Sequence, residues 1–177
     1  MIRPDFRKRL MDQRGAAVIL WSLFMMSVAL YLVIARNVLN NPKFAAGLSL
    51  AETLRILLWG LAVVDLGYFA WWKKHYLTRA ALLDRAKQAK LFSALDEHQG
   101  PVEERAAFAV STYVTRKVVL FAIIDALAVY GLVLAIAGRY FLDQYLLSAL
   151  TLILLALEFP SQLSMEKALG DLEQAGP

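Results

Sequence analysis

Apolar residues fall along this chain in four blocks, and polar residues fall between them. The blocks are residues 16–35, 53–72, 118–138 and 140–159. Each has roughly the 20 residues that a helix needs to cross ~30 Å of hydrocarbon. The pattern predicts an all-α polytopic membrane protein with a single domain over residues 1–177. Its four transmembrane helices form an antiparallel bundle.

The segments between the blocks refine this reading. Residues 1–15 are short and basic, with Arg3, Arg7, Lys8, Arg9 and Arg14. The run that follows is longer than the apolar part of a signal peptide and has no A-x-A site, so it reads as an uncleaved first span. Asn40-Asn41-Pro42 reads as a turn. Ser49 with Glu52 three residues on reads as a capping box for the second span. Tyr68, Trp71, Trp72, Lys73 and Lys74 form the aromatic and basic boundary of a headgroup layer.

Residues 73–117 are the one long polar segment. Nothing between Tyr76 and Glu97 breaks a helix, so the second span is predicted to continue beyond the membrane. His98-Gln99-Gly100-Pro101 is the break. Pro101 at a first helical position, with Glu103 and Glu104 in the first turn, starts the next helix. Val102, Ala106, Ala109 and Tyr113 give it an apolar stripe. Helices 2 and 3 are thus predicted to extend into a cytoplasmic helical hairpin over 73–117, either a solvated stalk or a docking surface. Gly138-Arg139 to Asp143 reads as a tight turn, and Pro160 ends the fourth span. Leu163, Leu169 and Leu172 suggest a short amphipathic tail.

Composition agrees with a membrane class: 59% of the 177 residues are hydrophobic, and the mean hydropathy is +0.52. The net charge is +4. Because the cations flank apolar spans, they report topology and not a nucleic-acid partner. Five Lys and Arg precede the first span and nine lie in 73–117, against Arg36, Lys43 and Arg55 in one opposite connector and Arg139 in the other. This bias puts both termini and the hairpin in the cytoplasm of a bacterial inner membrane. There is no cysteine, and His75 and His98 lie outside the spans. Disulfides, thiolate metal sites and intramembrane bis-histidine haem are excluded, and no cofactor is expected.

Two acids lie inside the spans. Asp65 is seven residues before Trp72, and Asp125 seven after Val118. Both therefore lie roughly 10 Å below the same boundary. An Asp at a helix centre costs about 2.5–3.5 kcal/mol on insertion scales, so each must have a use. With no Lys or Arg in their layer, the two carboxyls can face one another, and at least one is expected to be protonated at neutral pH and able to share its proton with the other. The structural use is a hydrogen bond to a backbone carbonyl, Ser27, Tyr31 or Tyr130 that fixes helix register. The functional use is reversible protonation or cation binding. Ala128, Gly131, Ala135 and Gly138 form an arc of small residues that permits close helix packing. Glu158 can pair with Arg116 or Lys117. Aligning Tyr31 with Tyr130 suggests parallel repeats in which Met26 stands at the place of Asp125.

Residues 124–136, IDALAVYGLVLAI, resemble the C-terminal helix of the rotary ATP synthase c subunit. That helix carries a proton-binding acid before an apolar-Tyr-Gly-apolar run. The resemblance spans little more than a dozen residues and implies proton binding at Asp125. Residues 115–167 are similar to small four-span bacterial membrane proteins of unknown function, which implies no activity. No Ser–His set or paired-Asp protease motif is present, so the chain reads as a non-enzyme. It is expected to be an accessory, assembly or scaffolding subunit. Besides the lipid bilayer, its expected partner is another protein or a second copy, met through the hairpin or span three. The alternative is a proton- or cation-translocating component using Asp65 and Asp125.

Overall fold

The computed structural model of the chain describes residues 2–40, 50–83 and 96–162, with 166 and 170. Among the described residues every regular element is a helix. In order these are α1 (Pro4–Asn40), α2 (Ala51–Tyr76), α3 (Arg79–Leu83), α4 (Pro101–Gly138) and α5 (Phe141–Leu157). Three of them, α1 as far as Val38, α2 and α4, are long and apolar enough to cross a membrane, while α5 is apolar and 17 residues long. The Asn40–Pro42 turn, the Ser49 cap and the tail leucines involve residues outside those described.

Two helix ends are not where the apolar pattern alone puts them. α1 does not start at the first span but at Pro4, inside the basic N-terminal segment. Pro4 at a first helical position and Asp5 in the first turn give that start its local cause. The second helix does not run on past the aromatic boundary either. It stops at Tyr76, and α3 starts after a bend at Leu77-Thr78. The Nη1 of Arg116 donates to the Tyr76 carbonyl at 2.7 Å, and its guanidinium lies 5.5 Å from the Tyr76 ring centre. A cation that caps the last carbonyls ends a helix without any local breaker. Residues 84–95 lie outside the described part.

The start of α4 is where Pro101 puts it, with Glu103 and Glu104 in its first turn and Gly100 in the left-handed region at φ 90°. Its end is a reversal through Arg139 at φ 55°, a conformation usually left to glycine. The Arg139 and Tyr140 amides close it by donating to the carbonyls of Ala135 and Leu134.

Contacts divide the chain into two compact units. The first holds residues 1–21, 71–120 and 159–177. Its core joins Ile2, Phe6, Leu10 and Ala17 of the N-terminal region to Leu82 of α3 and to Ala106, Ala107, Val110, Tyr113 and Val114 of α4. Phe6 and Leu10, four residues apart, share one face of α1, and Ile2, just ahead of the helix, joins the same cluster. The second unit holds residues 22–70 and 121–158. Its core joins Leu58 and Ala62 of α2, Leu127 and Leu134 of α4, and Leu147 of α5. Here the outward residues are apolar as well: Met26 is 68% exposed, Ile56 72% and Leu157 75%. Helices apolar on inward and outward faces alike are the pattern of a lipid-embedded unit.

Candidate functional site

Three acids of the second unit, Asp65, Asp125 and Asp143, are each bonded to a side chain on another helix. Asp125 on α4 is reached from α1, where Ser27 Oγ lies 2.8 Å from Oδ1 and the Tyr31 hydroxyl donates to Oδ2 at 3.3 Å. Ser27 and Tyr31 are one turn apart, so one face of α1 brings both hydroxyls to one carboxyl. Asp65 on α2 is reached from α4, where the Tyr130 hydroxyl donates to Oδ2 at 2.7 Å. Arg55 on α2 donates through Nε and Nη2 to the two oxygens of Asp143 on α5, at 2.6 and 3.1 Å. Its guanidinium also lies 4.8 Å from the Tyr140 ring centre.

The expected pairing of Asp65 with Asp125 is not formed: among the described residues the two share no direct hydrogen bond. The reason is azimuth. Residues 125 and 130 are five apart, which turns them about 140° from one another around a helix. One face of α4 therefore gives Asp125 to α1, while another gives Tyr130 to α2. Tyr31 and Tyr130 each donate to an aspartate on another helix.

The small-residue arc of α4 is spent inside the chain. Ala128 and Ala135 are fully buried. A Cβ on Gly131 would lie 2.9 Å from Gln144 Oε1 and 3.0 Å from Gln144 Cα, and one on Gly138 would meet Tyr140 and Ala51. At Gly131 the arc is covered by α5 of the same chain.

Sequence reasoning passed over a polar stripe on α5. Gln144, Ser148 and Thr151 are buried and recur at four and three residues, a signal open to inspection in an otherwise apolar run. Gln144 Nε2 donates to Ser148 Oγ at 3.0 Å. Thr151 Oγ1 donates to its own helix at the Leu147 carbonyl, 2.9 Å away, and lies 3.4 Å from the Ile124 carbonyl of α4.

Within the first unit, the feature missed is an ionic latch at the start of α4. Glu103 is buried. Its carboxylate accepts from Arg3 Nε and Nη2 at 2.9 Å each, from the Arg3 amide at 3.1 Å and from the Gln99 amide at 2.7 Å. Arg3 Nη2 also donates to the Glu97 carbonyl, and Arg9 pairs with the Glu97 carboxylate. The Arg3 side chain, followed by the Gln99 amide, holds the Glu103 carboxyl down at about 2, against about 4.3 for an ordinary Glu. A depressed folded-state value stabilises the protein above the unfolded value. That contribution is lost as pH falls from about 4.3 through about 2. Acid titration of unfolding is therefore expected to show stability declining across this window. Glu103→Gln removes that part of the slope, and an unchanged slope would exclude the latch.

Comparison of the chain with protein-family models, with characterised proteins and with solved structures finds no match.

Proposed function

We propose that this chain is a multi-pass protein of a bacterial inner membrane and acts there as a non-catalytic accessory, assembly or scaffolding subunit. In this reading α5 is a fourth, short span beside α1, α2 and α4. Its 17 residues rise about 25 Å, within the range that crosses a bilayer. The distribution of Lys and Arg supports cytoplasmic termini and a cytoplasmic segment between α2 and the apolar part of α4. That segment, and not the small-residue arc, is the surface offered to a partner protein.

The observation that carries the reading is the use made of the acids. Asp65, Asp125 and Asp143 are each bonded to a side chain of another helix within the same unit. Such bonds hold helices in register, which is what a frame for other proteins requires. A second reading, proton or cation translocation through Asp65 and Asp125, is favoured by the hydroxyl partners of these acids, since hydroxyls both accept and donate. The two separate in liposomes. The purified protein is expected to give no more dye-reported proton flux after a pH jump than empty vesicles. A flux that Asp125→Asn abolishes would replace the first reading by the second.

A further inference from the structure

We infer that Asp125 holds a proton and donates a hydrogen bond to Ser27, which makes this carboxyl a protonation site between α1 and α4. The argument is a count of hydrogens. Ser27 Oγ lies 2.7 Å from the Phe24 carbonyl oxygen and 2.8 Å from Asp125 Oδ1. Each distance is that of a complete O–H···O bond. A serine hydroxyl has one hydrogen and a carbonyl has none. Two such bonds need two hydrogens, and the carboxyl of Asp125 is the one group of the three able to supply the second. The order is Asp125 O–H to Ser27 Oγ, then Ser27 O–H to the Phe24 carbonyl.

The opposite assignment leaves a contact without a hydrogen. An ionised Asp125 would take the serine hydrogen, and Ser27 Oγ would face the Phe24 carbonyl as two acceptors 2.7 Å apart. Burying unpaired polar atoms against each other is the arrangement that folded proteins avoid. The Tyr31 contact agrees with a neutral carboxyl. At 3.3 Å it is far longer than a hydroxyl's bond to a carboxylate, about 2.5–2.7 Å. At Asp65 the count closes differently, since one tyrosine hydrogen serves one bond at 2.7 Å.

The surroundings are those of a lone site. From α1, Tyr31 is the titratable group in contact with Asp125. From α5, Thr151 reaches the Ile124 carbonyl next to Asp125 in sequence, and it does not titrate. From α2, Asp65 is engaged by Tyr130. When the proton leaves, the relay must reverse: Ser27 turns its hydrogen from the Phe24 carbonyl to the carboxylate. The direction of the Ser27 hydroxyl thereby depends on whether the site is occupied. This assignment does not depend on the scaffold reading, because it concerns occupancy and not flux.

The test is infrared spectroscopy of the whole protein in liposomes at pH 7, with carbon-13 aspartate to identify aspartate carboxyl bands. One protonated-carboxyl band is expected in the native chain. Asp125→Asn removes it, Asp65→Asn leaves it, and Ser27→Ala shifts it because the donor loses its acceptor. A native chain without such a band overturns the assignment, as does a band that survives Asp125→Asn. If Asp125→Asn does not fold, the Ser27→Ala spectrum decides: a shifted band supports the site and an unmoved one rejects it.

Discussion

Phe6→Ala is expected to lower stability by about 3–5 kcal/mol, the cost of emptying a large buried side chain. Phe6 is 2% exposed and sits beside Leu10, which is fully buried, in a core shared with α3 and α4. Two residues away, Lys8 is exposed. Lys8→Gln is accordingly expected to stay within ~0.5 kcal/mol of the native chain. Equilibrium unfolding in detergent micelles measures both. If the two variants lose stability equally, the N-terminal turns are a topogenic tail after all and contribute no core. The comparison matters because positive charge and apolar packing occupy opposite faces of the same helix.

Gly131→Val is expected to lower stability by about 1–3 kcal/mol, the cost of overpacking a filled contact. The first added carbon already falls 3.0 Å from the Cα of Gln144. That atom belongs to the α5 backbone and cannot rotate away as a side chain would. Gly60 and Gly67, both on α2, have nothing within 4 Å of the place a Cβ would take, so valine at either is expected to be tolerated. Thermal unfolding of the three variants ranks them. Equal midpoints would show that α5 does not close on α4 at Gly131.

Much of the helical plan is legible in residue pattern alone. Long apolar runs need no partner to declare themselves, and Pro101 with its two glutamates marks a helix start by local chemistry. The hydroxyls at Ser27, Tyr31 and Tyr130 can be named in advance because few polar side chains share the acids' depth. What cannot be read depends on azimuth or on distant residues. Chain adjacency of α2 and α4 says nothing about which way Asp125 points, and it points to α1. The end of α2 at Tyr76 is made by Arg116, 40 residues on. The start of α1 is hidden for another reason. Five cations in 15 residues dominate the pattern, while Ile2, Phe6 and Leu10 form a stripe too short to stand out from them. Glu103 reads locally as a partner of the helix dipole, yet it bonds a side chain 100 residues earlier.

The bonds of Asp65, Asp125 and Asp143 share one property: each joins α1 or α2 to α4 or α5. Synthesis makes α1 and α2 first. They leave the ribosome with Tyr31, Arg55 and Asp65 lacking the groups they bond in the finished protein, and with Ser27 lacking Asp125. Insertion of these two helices and their locking into register are therefore separate events, as in two-stage assembly of membrane helices. The early half can change its pairing until the late half arrives. A chain split between α3 and α4 would accordingly yield two polypeptides with complementary donors and acceptors, each holding what the other needs to close.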